Sequence, residues 1–205
     1  MESMQRQIED YMRRRLSDFA SDPNEGRVRA QLAALRRGVG RKPGDMPDLW
    51  GLLFADMPEE MMSRTAEPTA AEWAAYTALT LYATHQQGTE INRQNMHTCQ
   101  DAGRLGKAVA RLVKNADDRE RIARRFNAFA TASDMTEAAH HLRGLIQLLR
   151  AEEIPLNYIR LAGDLYRFQN PKYAPDVRLS WGQDFYWRKP DETDDEQEGQ
   201  VDSHA

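Results

Sequence analysis

The sequence has 205 residues, of which 40% are hydrophobic and 29% are charged, and it carries one cysteine, Cys99. A single cysteine excludes an internal disulfide, and no apolar run approaches the ~20 residues that a membrane-spanning helix needs. We therefore expect a soluble, cytoplasmic protein without a membrane contact.

The formal net charge of -4 is distributed unevenly along the chain. Residues 190–205 hold seven of the 32 acidic residues and no lysine or arginine, whereas residues 1–189 hold 28 cations and 25 acids. Because this acidic tail has little apolar surface to bury, we predict that it is disordered. The tail is interpreted either as a solvating segment or as a competitor of nucleic acid for a basic surface.

Helical periodicity dominates the first half of the chain, and no stretch shows the sustained alternation that a strand requires. A first helix is predicted near residues 3–20, and a second from a cap at Ser21-Asp22 to Gly38. A short helix follows at Pro47 to Phe54. A longer helix begins at Thr69, which has capping-box spacing with Glu72.

The second half of the chain begins after a polar stretch near residues 86–102. Five helices are predicted there: Gly103 to Lys114, Asp117 to Ala130, Asp134 to Glu152, Asn157 to Phe168, and a last one bearing Val177, Trp181 and Phe185. We predict an all-α fold of two helical bundles, residues 1–95 and 96–189, followed by the acidic tail 190–205.

Basic residues occupy one side of the predicted helix from Gly103 to Lys114. At about 100° per residue, its four cations fall within roughly 80° of one another, opposite an apolar face. Like charges at this spacing destabilise an isolated helix, so we interpret them as a surface for an anionic partner. The four are Arg104, Lys107, Arg111 and Lys114. The next two helices add Arg124, Arg125 and Arg143 on their polar sides.

A second cationic segment lies between Gly26 and Gly44, which contains six cations and no acid. Its glycines lack the spacing of a nucleotide-binding P-loop, because no serine or threonine follows Lys42 and no strand precedes the loop. The arginines of this segment suit a phosphate backbone instead, since a guanidinium binds phosphate through two hydrogen bonds.

No residue pattern predicts catalysis, a cofactor or a metal site. His97 and Cys99 would diverge by about 200° on a helix, so they form no ready pair. A zinc site formed by these two residues with His140 and His141 lacks any local ligand spacing. We expect His85 to meet the dipole at a helix C-terminus. The protein is therefore predicted not to be an enzyme.

Large aromatic residues are expected in the core rather than on the surface. They are Trp50, Trp73, Phe126, Phe129 and Trp181. Without exposed rings for base stacking, binding of nucleic acid should depend on salt and not on sequence.

Seven short motifs occur in an order that resembles the CasB family, the small subunit of the type I-E CRISPR Cascade surveillance complex. The match extends from about Arg27 to Trp187. The motifs are Leu35-Arg36-Arg37-Gly38, Met46-Pro47-Asp48-Leu49-Trp50, Leu105-Gly106-Lys107-Ala108-Val109, Ala123-Arg124-Arg125-Phe126, His141-Leu142-Arg143, Ile154-Pro155-Leu156-Asn157-Tyr158 and Trp181-Gly182-Gln183-Asp184-Phe185-Tyr186.

This resemblance implies a non-catalytic, helical subunit that forms a homodimer within a complex of other Cascade proteins and a guide RNA. It also implies contact with target DNA, including the displaced strand, through the nucleic-acid backbone. The residues expected to make this contact are Arg36, Arg37, Arg41, Lys42, Arg104, Lys107, Arg111, Arg124, Arg125 and Arg143. Two alternatives remain open: a helical adaptor that binds acidic protein partners, and a metal-dependent hydrolase.

Overall fold

The computed structural model describes residues 2–187, which contain nine α-helices. They are α1 (Glu2–Ser21), α2 (Glu25–Arg37), α3 (Trp50–Leu53), α4 (Ala70–His85), α5 (Leu105–Ala110), α6 (Ala116–Ala130), α7 (Met135–Ala151), α8 (Tyr158–Phe168) and α9 (Ala174–Tyr186). Apart from one isolated β-bridge between His97 and Leu156, the described residues are helices, turns and loops, which confirms the all-α prediction. The predicted disordered tail, residues 190–205, lies outside the described residues.

Several helix boundaries follow directly from the predicted caps. Thr69 and Glu72 form a complete capping box, in which each side chain accepts a hydrogen bond from the other residue's backbone N–H. The predicted cap of α2, Ser21-Asp22, was wrong by two to three residues, because Asn24 caps this helix by accepting from Arg27 N at 2.9 Å. The side-chain oxygen nearest the free N–H groups of the first turn therefore decides where this helix starts.

Helix α4 is the central element of the fold. Of its 16 residues, 14 are buried, and it packs against α1, α2, α7 and α8. Its sequence is rich in alanine and threonine, whose small side chains allow neighbouring helices to approach on several sides. A helix that is apolar all round belongs in the interior, as this one does.

Helices α5 and α9 pack closely in the second half of the chain. A Cβ placed on Gly106 of α5 would overlap the Trp181 carbonyl of α9 and lie 2.6 Å from the Asp184 Cβ. Only glycine permits this approach. The hydrophobic core is continuous from α1 to α9, and α4 contacts helices on both sides of the predicted boundary at residue 95. The division into two bundles stays a prediction.

His85 ends α4, but it does not act as an exposed cation at the helix terminus. Its side chain is fully buried, and its Nδ1 lies 2.9 Å from the Tyr158 hydroxyl. Burial lowers the pKa of His85 to about 4. The expectation of a charged contact with the helix dipole was therefore wrong, because desolvation outweighs the dipole at this depth.

Candidate nucleic-acid interface

Residues 38–45, which we call the glycine loop, leave α2 through tight turns. Gly40 and Gly44 have φ of 77° and 95°, a region that residues with a side chain rarely adopt. The Tyr76 hydroxyl donates to the Gly38 carbonyl oxygen at 2.9 Å, and burial raises the pKa of this tyrosine to about 12, so it keeps its proton. The loop is thereby held against α4 in a defined shape.

Two of the four predicted cations in this region have acidic neighbours. Arg37 lies 3.3 Å from a carboxylate oxygen of Asp48, and Lys42 lies 2.7 Å from one of Glu67. Arg41 is exposed, and no carboxylate of the described residues lies within 4.0 Å of it. Of the two cations in the glycine loop, Arg41 is therefore the one whose charge no close acid of the described residues neutralises.

Arg36 lies near Arg150, a residue that the sequence did not place at the interface. Burial and the positive charge of Arg150 both lower the pKa of Arg36. Arg150 donates to Oε1 of Gln87 at 2.9 Å, and neither arginine has a carboxylate within 4.0 Å among the residues that the structure describes. The periodicity of α7 placed Arg150 on its polar side, but no sequence signal indicated that its charge acts on Arg36.

The predicted helix from Gly103 to Lys114 is shorter than expected. The α-helix covers only Leu105–Ala110, so Arg104 is its N-cap and Arg111 its C-cap. Since Lys114 lies beyond the helix, the calculated face of four aligned cations does not exist. The prediction was wrong because it assumed α-helical geometry for residues 111–114, which the structure places in a turn and a loop.

Two cations of this region bind acids that belong to other elements. Arg104 Nε lies 2.8 Å from Oδ2 of Asp184, without the alignment of a hydrogen bond, and its Nη2 donates to Ser180 at 2.9 Å. Lys107 donates to Asp101, and this contact is the main reason that the pKa of the Asp101 carboxyl is lowered. Arg104 therefore ties α5 to α9, and Lys107 ties it to the preceding turn.

Arg124 and Arg125 of α6 line a groove of about 280 Å³ between α6 and α7. Arg124 is paired with Glu120 at 3.0 Å. Arg125 and Arg143 are exposed and, within the described part of the chain, have no carboxylate within 4.0 Å. The side chains that line the groove are Arg124, Arg125, Ala128, His140, His141, Gly144 and Leu145.

The ten predicted residues thus divide into two equal groups. Five have a carboxylate within 4.0 Å: Arg37, Lys42, Arg104, Lys107 and Arg124. Five have none among the described residues: Arg36, Arg41, Arg111, Arg125 and Arg143. We call the second group the unneutralised arginines. They come from α2, the glycine loop, the end of α5, α6 and α7.

His97 and Cys99 are closer than the sequence indicated, because they lie in a loop and not on a helix. Cys99 Sγ is 3.5 Å from His97 Nε2. However, His97 Nδ1 accepts the backbone N–H of Tyr158 at 3.2 Å, which places the proton of the neutral ring on Nε2. Burial lowers the pKa of His97, so the neutral ring is favoured. In this form, Nε2 cannot accept a proton from the thiol.

Metal-binding side chains are dispersed over the molecule. Among the residues that the structure describes, no three His, Cys, Asp or Glu side chains converge as a metal site would require. Within the same part of the chain, no helix has the length and apolar character needed to span a membrane.

Three large aromatic residues are exposed, contrary to the expectation that few rings reach the surface. Trp50 is 51% exposed, and Tyr186 and Trp187 at the end of α9 are 56% and 61% exposed. The predicted burial of Trp50 was wrong because it lies on the outer side of the short helix α3, where Leu49 and Leu53 fill the core instead. Lys107 Nζ lies 5.7 Å from the centroid of a Trp187 ring.

The fold and this surface define the class: an all-helical protein whose arginine side chains project from several packed helices. The family model described as CRISPR-associated protein Cse2 matches residues 31–186. The chain belongs to this family, and the predicted resemblance to CasB is confirmed.

Solved structures agree with this assignment. CasB from Thermobifida fusca is 34% identical and aligns over 90% of this chain and 98% of its own, with a TM-score of 0.67. A Cse2-family protein from Thermus thermophilus (23% identical, 85% and 97% covered, TM-score 0.62) and CasB from M. ruber (24% identical, 87% and 92% covered, TM-score 0.60) share the fold. A comparison with curated protein sequences gave no significant match.

Proposed function

We propose that the chain is a non-catalytic subunit of a Cascade complex that binds the nucleic-acid backbone and stabilises the displaced strand of target DNA. The observation that carries this proposal is the set of five unneutralised arginines. Phosphate binding to a cation without a close acid costs less free energy than binding to a paired cation, because no existing ion pair has to be broken.

All ten predicted cations are retained in the proposal, but their expected contributions differ. Arg104 is already bound to Asp184 and Ser180, so it has a structural role that competes with phosphate contact. Arg41 and Arg125 are exposed, so a phosphate group can reach their guanidinium groups from the solvent. We also add Arg150 to the proposed surface, because its charge acts on Arg36 and it has no carboxylate within 4.0 Å among the described residues.

The partners proposed for this surface follow from membership in the family. They are the other Cascade subunits, the guide RNA, target DNA including the displaced strand, and a second copy of this chain within the complex. In RNA-guided recognition, base pairing reads the sequence, while protein cations hold the backbones. The surface described here suits that division, because its arginines come from separate helices and do not form a recognisable base-reading motif.

Two matched triple variants test the proposal. The first changes Arg41, Arg125 and Arg143 to glutamine, and the second changes Arg37, Lys42 and Arg124, which are paired with acids. Affinity for a single-stranded oligonucleotide is measured by fluorescence anisotropy from 50 to about 300 mM salt. The first variant should lower the log–log salt slope by about 2, from roughly 0.7 per lost contact, and the second by much less. Equal losses in the two variants would contradict the proposal.

Assembly is tested separately by copurification. A tagged form of the chain should recover guide RNA and the other Cascade subunits from cells that express them together. The first triple variant should still assemble and should lose only the retention of target DNA.

A helical adaptor without nucleic-acid contact is the second candidate function, and the surface of α9 favours it. Leu179, Tyr186 and Trp187 are all more than half exposed, and aromatic residues of this kind are enriched in protein interfaces. This candidate predicts copurification with partner proteins and no salt-dependent retention of nucleic acid.

A further inference from the structure

Trp50 is exposed, yet its indole ring is held in place. Its Nε1 donates a hydrogen bond to the carbonyl oxygen of Gly44 at 2.9 Å, across six residues of sequence. About half of the Trp50 surface, 51%, is exposed to solvent. A large ring that is fixed at one edge and exposed is available to bind another flat group.

Two of the three cations around this ring are paired with acids, and one is not. The glycine loop to which Trp50 is bonded carries Arg41, which has no carboxylate within 4.0 Å among the described residues, and Lys42. Arg37 is close as well, because it pairs with Asp48, two residues before Trp50. A ligand at the indole would therefore meet an aromatic face and, in the adjoining loop, the charge of Arg41, which no close acid of the described residues neutralises.

We propose that Trp50 stacks on an unpaired base of a single-stranded nucleic acid whose phosphates are bound by Arg41 and its neighbours in the glycine loop. This inference rests on the proposed function and deepens it, because it adds a contact with a base, made by a named residue, to the contacts with the backbone. A duplex keeps its bases stacked on each other, so only a single strand offers a free base to the indole. Stacking of one base on an aromatic side chain typically changes affinity by roughly 5- to 100-fold.

The sequence predicted that nucleic acid is bound by electrostatic attraction alone. Stacking adds a contribution to the binding free energy that does not depend on the salt concentration. Counterion release sets the dependence of affinity on salt, and a neutral ring releases no counterion. Loss of the ring should therefore lower affinity by the same factor at each salt concentration. Loss of a phosphate-binding arginine should change the slope of that dependence instead.

The experiment compares the full chain with Trp50→Ala, Trp50→Phe, Arg41→Gln and Leu179→Ala. The probes are a labelled thymidine oligonucleotide and a duplex of the same length. Trp50→Ala should weaken single-strand binding about 10-fold at every salt concentration and leave duplex binding unchanged. Trp50→Phe should retain most of the affinity. Arg41→Gln should lower the log–log slope by about 0.7.

Leu179→Ala is the matched control, because it removes an apolar side chain of α9 that is 61% exposed and carries no ring. It should bind both probes as the unmodified chain does. Thermal unfolding of each variant establishes that α3 and the glycine loop are folded. Quenching of tryptophan fluorescence by the oligonucleotide gives a second readout, and it should be smaller in Trp50→Phe than in the unmodified chain.

The outcomes separate the two proposals. If the unmodified chain binds neither probe in a salt-dependent manner, the proposed function fails. If it binds the single strand and Trp50→Ala binds equally well with unchanged quenching, only the stacking inference is overturned. It is likewise overturned if Trp50→Ala keeps its single-strand affinity but no longer copurifies with the other subunits, because Trp50 is then a protein contact.

Discussion

The glycine loop and helix α5 carry similar sets of positively charged residues in the sequence, but their surroundings differ. At α5, Arg104 and Lys107 bind Asp184 and Asp101, so their charges stabilise the packing of the helix. At the glycine loop, Arg41 projects into solvent without a close acid in the described structure. The comparison teaches that the fold, by the acids it brings close to some cations and not to others, decides which positive charges stay available to an anionic ligand.

The largest expected effect comes from His85, the last residue of the buried helix α4. The pKa of His85 is about 4 in the folded state, against an ordinary value near 6.5. Between these values the unfolded chain binds a proton that the folded chain does not. The free energy of unfolding should therefore fall as the pH is lowered from 6.5 to 4, by about 3 kcal/mol in total.

Urea unfolding at several pH values between 4 and 7.5 measures this dependence. The variant His85→Asn keeps a polar group near the Tyr158 hydroxyl and cannot titrate. It should show a shallower dependence on pH, with a remainder from His97, whose pKa is also lowered by burial. If the free energy of unfolding of His85→Asn depends on pH as strongly as that of the unmodified chain, His85 is not the group that controls this dependence.

Glycine substitutions compare the rigidity of the two regions. Gly106→Ala should cost about 1 to 3 kcal/mol, because the added methyl meets the backbone of α9 at Trp181. Gly38→Ala should cost less, although its methyl meets the Tyr76 hydroxyl and lies 2.8 Å from Leu49 Cδ1. Side chains can move aside more readily than two packed helices can separate.

Chemical denaturation measures both variants against Gly144→Ala as the control. At Gly144, within α7, a Cβ has no neighbour within 4 Å, so alanine should stabilise the helix by up to about 1 kcal/mol. A cost for Gly38→Ala that equals the cost for Gly106→Ala would contradict the assumed difference in rigidity.

Arg104→Met tests whether α5 uses its cation for structure. Asp184 is buried, which raises the pKa of its carboxyl, and Arg104 opposes this rise. We expect a loss of about 2 kcal/mol at pH 7, less than for a fully buried pair because Arg104 is partly exposed. The loss should shrink toward pH 4, because a protonated Asp184 needs no cation.

Denaturation at pH 7 and pH 4 measures this loss, and the double variant Arg104→Met with Asp184→Asn is the control. It removes both charges and should recover most of the stability at pH 7. A loss that is independent of pH would indicate packing, not charge, as the role of Arg104.

The smallest expected effect is a difference in nucleic-acid binding between two variants at α5, one at Arg111 and one at Lys107. Arg111→Gln should weaken single-strand binding a few-fold and lower the salt slope by about 0.7. Lys107→Gln should leave the slope nearly unchanged, because Asp101 already neutralises Lys107. Anisotropy measurements across a salt series distinguish them. Equal changes would show that the ion pair opens on binding.

Local patterns of the sequence predicted much of the fold but less of the interface. The capping box at Thr69 and Glu72 defined the start of α4, because its hydrogen bonds join residues three apart. The sequence predicted that the cations near α5 share one helical face, and this arrangement was wrong because the helix covers only Leu105–Ala110. Asp184 lies 80 residues beyond Arg104, and no local pattern indicates that they pair.

The sequence by itself determined the helical class, the positions of most helices, the absence of a P-loop pattern and the resemblance to CasB. These depend on periodicity, capping and short motifs, which act within a few residues of the chain. Only the tertiary structure decided which arginines are neutralised, that the charge of Arg150 acts on Arg36, and that Trp50 is exposed beside the glycine loop. Those properties depend on the packing of helices distant in sequence, and electrostatic pairing and exposure follow distance in space.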